Sequence, residues 1–224
     1  MSTPSEALSA LRAVDQRNQG RAATPETGEI TAERLAAVEA HAVSVRVWHP
    51  NLIPGLLQTT RYATAAIATA RPAFPAADVQ RYAHMRAARV DQFMTRLQNP
   101  AVGEAVFVMG GQAISRPLTH AAAHRAQLRQ LLRLAELPNV RVHVLPEDRS
   151  TSARPGHASL YALAPDGNGT RHGARVGYTE TPLGGWYSTR PADVARLRMT
   201  FDETVNQALD ANDTRSLIQE ALTA

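Results

Sequence analysis

Trp48-His49-Pro50-Asn51-Leu52-Ile53-Pro54-Gly55-Leu56-Leu57-Gln58-Thr59 breaks the chain between two helical patterns, and for a break it is unusually apolar. Pro50 and Pro54 interrupt a helix and bias the residues before them toward extended backbone. Gly55 gives access to conformations that a side chain penalises. Trp48, Leu52, Ile53, Leu56 and Leu57 all prefer burial. The reading is a buried elbow between helices, with Thr59 or Thr60 as N-cap of the second. The same residues would also serve as the wall of an apolar pocket.

Upstream, Leu35, Val38, Ala42 and Val45 recur at helical spacing and predict an amphipathic helix over 31–47. Residues 1–30 hold few large apolar side chains and read as a mobile N-terminal segment and linker. Downstream, Thr60 to Arg71 is a helix ended by Pro72 and Pro75. Residues 77–98 give the clearest helix, with Val79, Tyr82, Ala83, Arg86, Val90, Phe93 and Leu97 on one stripe. Arg86 is therefore a charge on a face that should be buried. The period then changes. Glu104–Met109 reads as a strand, and Thr119 as the cap of a helix reaching Leu137. Val140, Val142 and Val144 alternate with polar residues as a half-buried strand does. His157–Ala164, Arg175–Thr181 and Gly184–Ser188 add strands, the first two joined by a hairpin turn at Asp166-Gly167-Asn168-Gly169. Pro191 suits the first turn of a helix carrying Val194, Leu197, Phe201, Val205 and Leu209. A last helix starts near Asp213 and buries Leu217, Ile218 and Leu222. Helices first, strands together, helices last: residues 31–224 read as a single α+β domain with an antiparallel sheet of four or five short strands.

Several motifs occur in order along this framework: Pro54-Gly55-Leu56-Leu57-Gln58-Thr59 with Tyr62-Ala63, Arg86-x-x-Arg89, Leu128-x-x-Leu131-Leu132, Ala135-Glu136-Leu137-Pro138-Asn139-Val140, Val142-x-Val144-Leu145-Pro146 and Tyr178-x-Glu180-Thr181. Over residues 33–222 the chain resembles an actinobacterial domain of unknown function with a PGLLQT-x-x-YA signature. That domain sits behind a helix-turn-helix module in WhiJ-like, antitoxin-like regulators. The resemblance implies a regulatory binding module, and a small partner protein encoded nearby. Three departures stand out. Residues 1–30 leave no room for a helix-turn-helix module. Val90 replaces a glutamine usual in the family. Gly111-Gln112-Ala113 stand where relatives carry an acid and a leucine.

Composition narrows the classes. No apolar run approaches the roughly 18 residues that cross a bilayer, and the N-terminus has no signal-peptide pattern. Zero cysteines exclude disulfides, thiolate catalysis and cysteine metal sites. A cytoplasmic protein is expected, without membrane association. All 24 basic residues are arginine. Residues 61–141 hold eleven arginines against four acids, and from 193 onward three arginines meet six acids. A basic middle and an acidic tail suit pairing within the molecule or between two copies, so a homodimer is allowed. Specific nucleic-acid binding ranks last, because aromatics are not interleaved with the arginines as stacking platforms.

Few constellations carry chemistry. His120 and His124 share a helix face, but three alanines separate them and no third ligand appears; solvent-facing histidines are expected, and no metal or other cofactor. Gly167-Asn168-Gly169-Thr170-Arg171-His172-Gly173 lies between strands and reads as a hairpin tip, not a phosphate loop. Adjacent carboxylates at Glu147-Asp148 and Asp202-Glu203 point apart and make poor acid–base pairs. Arg86 needs a partner, and Glu180, on one strand face with Tyr178, is the candidate. Either the two form a structural ion pair, or Trp48, His49, Arg86, Tyr178 and Glu180 line a ligand pocket. The first functional expectation is thus a stand-alone regulatory module, without its own DNA-binding domain, for a small molecule or a small acidic partner protein. The second is an enzyme on the same scaffold, acting in natural-product biosynthesis, with His49, Arg86, His143 and Glu180 as acid–base groups.

Overall fold

Ala42–His49 (AVSVRVWH) is a β-strand, β1, lying inside the sheet. In this computed structural model residues 29–97, 103–149, 151, 156–165, 173–181 and 184–223 are described, together with Ser9. The helix expected over 31–47 stops early: α1 spans Glu29–His41 and hands over directly to β1. Val43, Val45 and Val47 explain the change. Their β-branched side chains alternate with Ser44 and Arg46, and such side chains pack better on a pleated surface than in a helix.

Two further strands, β2 (Ala105–Gly110) and β3 (Val140–Leu145), run parallel to β1, with Val47 beside Phe107 and Phe107 beside Val142. Parallel neighbours need crossover connections, and helices supply them. Between β1 and β2 lie α2 (Thr60–Ala70) and α3 (Ala76–Leu97); between β2 and β3 lie the short α4 (Gln112–Ser115) and α5 (Ala121–Leu134). On the other side of β1, strands β4 (Ala158–Leu163), β5 (Arg175–Thr181) and β6 (Gly184–Ser188) follow in antiparallel order. The sheet is therefore mixed, six-stranded and ordered β3-β2-β1-β4-β5-β6. This corrects the expectation of an α+β fold with an antiparallel sheet of four or five strands. Two helices, α6 (Pro191–Gln207) and α7 (Ala211–Thr223), close the chain.

The sheet separates two apolar layers. Val45, Val47, Phe107, Met109, Val142 and Tyr178 join the main core, which includes Val38 of α1, Phe93 and Leu97 of α3, Leu128 and Leu131 of α5 and Ile218 of α7. On the opposite face Trp48, Val106, Val108, Leu145 and Leu160 meet Val194 and Phe201 of α6.

The stretch after Trp48 is a strand-to-helix crossover, not an elbow between helices, and it is buried as expected. Ile53 and Leu57 are fully enclosed and Leu56 nearly so. A single 3₁₀ turn covers Gly55–Leu57, and the Thr59 hydroxyl caps α2 by accepting from the Tyr62 N–H. Buried loop backbone must find partners. Here Gln127 of α5 supplies two: its Oε1 accepts from the Thr59 N–H at 2.6 Å, and its Nε2 donates to the Leu57 carbonyl at 2.8 Å. Gly55 does not adopt a left-handed conformation; among the described residues that φ belongs to Gly184.

Smaller boundaries shift too. His120, not Thr119, caps α5, and Asp210 caps α7 through the N–H groups of Asn212 and Asp213. The expected mobile segment 1–30, apart from Ser9, Glu29 and Ile30, and most of the glycine-rich hairpin tip at 167–173 lie outside the described residues. An ion pair that joins the basic middle to the acidic tail, Arg215 to Glu136 at 3.7 Å, has the reverse of the expected polarity. Among the described residues no helix is long and apolar enough to cross a membrane.

Candidate functional site

A cavity of about 570 Å³ opens on the α1–α3 side of the sheet, over the ends of β1, β4 and β5. One wall is apolar, with Leu35, Leu52, Ile67, Phe74 and Met85. The other end is polar and contains His49, Gln58, Arg86, His157, Tyr178 and Glu180. Strand geometry brings these together. His49 is the last residue of β1, and β4 begins beside it because Trp48 pairs with Ala158. Tyr178 of β5 pairs with Ser159, so its ring falls on the same face. The rings form a row: His49 to His157 at 5.4 Å, His157 to Tyr178 at 5.4 Å and Tyr178 to Tyr187 at 4.7 Å between centroids.

Arg86 projects from α3 across the crossover loop. Its Nη1 donates to Gln58 Oε1 at 2.7 Å, and Gln58 Nε2 in turn donates to the Ile53 carbonyl at 2.6 Å. The Pro54–Thr59 stretch thus folds into a cradle for the guanidinium, and the Gly55 α-carbon faces the Arg86 side chain. Burial and the neighbouring Arg89 charge push Arg86 down to about 10, so it stays protonated at neutral pH. No ion-pair contact joins Arg86 to Glu180, whose side chain is exposed at the cavity mouth and acts on Arg86 only through space. The expected structural ion pair is therefore absent.

The buried ion pair belongs to Arg89. Its Nε and Nη2 donate to the two oxygens of Glu39 at 2.7 and 2.8 Å, with side chains 11% and 5% exposed. This fork geometry offsets the cost of removing both charges from water. Burial works against the Arg89 charge, but the Glu39 carboxylate raises its pKa above the ordinary value. Tyr161 of β4 donates to the same carboxylate at 3.3 Å.

Both cavity histidines are held neutral. Burial, and then the Arg86 charge, lower His49 to about 4. Burial, then His49 and Arg86, lower His157 to about 3. His49 Nδ1 accepts from the N–H groups of Leu52 at 2.9 Å and Asn51 at 3.2 Å. His157 Nε2 lies 3.1 Å from Ser159 Oγ, while its Nδ1 is buried without a hydrogen-bond partner. An unmet buried polar atom of this kind costs about 1–3 kcal/mol.

The profile of the family described as domain of unknown function DUF5753 matches residues 32–220. The chain belongs to the DUF5753 family. No match is found among curated proteins or solved structures.

In this DUF5753 domain four of the five expected ligand contacts, His49, Arg86, Tyr178 and Glu180, line one cavity. Trp48 does not. It is 2% exposed and packs on the opposite face, because successive strand residues point to opposite sides. It borders instead a smaller cavity of about 310 Å³ at the carboxyl ends of the three parallel strands. His143 also stands apart, with Nδ1 2.9 Å from the Leu209 carbonyl. His120 caps α5, and His124 turns inward with Nε2 on the Ile114 carbonyl at 2.9 Å, so the pair is not jointly solvent-facing. Among the described residues no group of three or more His, Asp or Glu side chains is placed to hold a metal ion. Sequence reasoning missed Gln58, His157, Ser159 and the Glu39–Arg89 pair. A signal existed for two of them: His157, Ser159 and Tyr161 alternate along β4 and so share one face.

Proposed function

We propose that the domain is a binding module of regulatory type whose cavity takes a small organic acid. Arg86 would meet the acid group, and the apolar wall would cover the body of the molecule. One observation carries this reading: among the described residues, the hydrogen-bond partner of a half-buried guanidinium at the cavity is the neutral Gln58 amide, with no carboxylate in contact. A charge removed from water calls for an opposite charge. The cavity, at about 570 Å³, falls within the roughly 300–1,000 Å³ of small-molecule sites.

In the WhiJ-like regulators that the chain resembles, this domain stands behind a helix-turn-helix module, and occupancy by a ligand is the natural signal for such a module to read. A concave cavity favours a small molecule over an acidic partner protein, which would need a protruding segment to enter. Acid–base catalysis has weaker support. His49, lowered to about 4, is a poor base at neutral pH, and His143 lies elsewhere.

The test is thermal melting with matched carboxylic acids and primary amides of drug-fragment size. Acids should raise the melting temperature of the wild-type protein and lose that effect in Arg86→Leu. Equal stabilisation by the amides, or acids that still stabilise Arg86→Leu, would sink the reading.

A further inference from the structure

Charge balance within the cavity points to a second group on the ligand. Among the described residues, the charged side chains that line it are Glu39, Arg71, Arg86, Arg89 and Glu180. Glu39 and Arg89 offset each other in their forked ion pair. Arg71 is the C-cap of α2, at the partially negative end of that helix, and its guanidinium lies over the Phe74 ring at 5.6 Å. Each of these three charges therefore has compensation close by.

Arg86 and Glu180 do not. Arg86 meets the neutral Gln58 amide. Glu180, exposed at the mouth, makes no hydrogen bond or ion pair among the described residues. Strand register explains why β6 offers it nothing. Tyr178 and Glu180 share one face of β5, and their direct partners on β6 are Tyr187 and Gly185. Directly opposed side chains are nearest neighbours in an antiparallel pair. Tyr178 accordingly packs on Tyr187, with centroids 4.7 Å apart, whereas Glu180 stands opposite a glycine that itself lines the cavity. One cavity thus holds two opposite charges that are matched neither to each other nor to a neighbour. An anion seated at Arg86 is repelled by the carboxylate at the mouth and leaves it unmatched. A positive group on the same ligand removes both costs.

We infer that the cavity takes an amphoteric acid, with its carboxylate on Arg86, its apolar body along Ile67, Phe74 and Met85, and an ammonium group at Glu180. The inference rests on the organic-acid reading above and deepens it. A dicarboxylate reaching from Arg86 to Arg71 is the competing class, and the same experiment separates the two.

Calorimetric titration of the full chain with two probe series reads the charge at the far end of the ligand. One series is flexible: hexanoate, 6-aminohexanoate and adipate. The other is rigid: 4-methylbenzoate, 4-(aminomethyl)benzoate and terephthalate. In at least one series the amino acid should bind wild type about threefold tighter than the neutral analogue, the size of an exposed ion pair, and the diacid should bind weakest. Glu180→Lys should reverse that order and make the diacid the tightest, a gain that loss of folding cannot mimic. Equal affinities of amino and neutral acids in both series, a diacid tightest in wild type, or an order that survives Glu180→Lys overturns this inference. Monoacids that bind wild type but not Arg86→Leu keep the organic-acid reading standing through any of those results. No binding by any probe, or binding indifferent to Arg86→Leu, overturns both.

Discussion

Gln58 ties the Pro54–Thr59 stretch to the chemistry of the cavity. Its amide is fixed at both ends, by the Ile53 carbonyl and by Arg86. Gln58→Glu should place a carboxylate against the guanidinium, satisfy its charge internally and abolish acid binding, and it also removes the donor to the Ile53 carbonyl. Retained binding in that variant would show that Arg86 is not the anion's partner. Gln58→Leu removes both hydrogen bonds, strands the Ile53 carbonyl and should cost about 1–3 kcal/mol of stability in urea unfolding. Gly110 illustrates a different constraint. A Cβ there would collide with the Pro50 carbonyl oxygen, backbone against backbone. Gly110→Ala should therefore destabilise by about 1–3 kcal/mol or more, as overpacking does. Unchanged unfolding would mean that the crossover loop yields freely at Pro50.

At the scale of elements, the crossover between β1 and α2 organises both the core and the cavity. Leu57 is fully buried in it, so Leu57→Ala should cost about 2–5 kcal/mol; a loss under about 0.5 kcal/mol, the surface range, would show that the loop is not packed. Its burial was legible from Trp48, Ile53, Leu56 and Leu57, and the long helices were legible from their apolar stripes. The strand β1 was not. Leu35, Val38, Ala42 and Val45 keep a helical spacing straight across the helix–strand boundary, and they masked the alternation of Val43, Val45 and Val47. With β1 unseen, no parallel neighbour for β2 could be inferred, and the sheet was read as antiparallel. The same error misplaced one site residue. In a break between helices, Trp48 and His49 can turn the same way; at the end of a strand they cannot. Arg86 was found because a charge on an apolar stripe stands out. Its neutral partner could not be, because 28 residues of chain separate Gln58 from Arg86 and nothing in the spacing says which loop crosses α3.

At the scale of the whole molecule, the two cavity histidines couple folding to pH. In the unfolded chain each takes up a proton near the ordinary value of about 6.5. In the folded protein His49 waits until about 4 and His157 until about 3. Between those limits the unfolded state binds more protons than the folded state, so stability rises with pH. The contribution is complete above about 6.5, erodes as pH falls and is exhausted only below the folded values. Within the window each histidine contributes a slope of about 1.4 kcal/mol per pH unit, so the pair gives about twice that near pH 5. The Arg86 charge persists throughout, since its pKa stays near 10. Affinity for an organic acid should then remain flat from pH 5 to 8, provided the acid itself stays ionised, even as the fold weakens. Urea unfolding at pH 7 and pH 5 separates the two behaviours. Wild type should lose several kcal/mol across that step, while a His49→Asn, His157→Phe double variant loses distinctly less. His49→Asn keeps a side-chain acceptor for the loop N–H groups, so the comparison reads protonation and not the loss of the loop contact. An equal loss in both proteins would mean that other groups set the acid sensitivity and that the two rings are not held neutral by the fold.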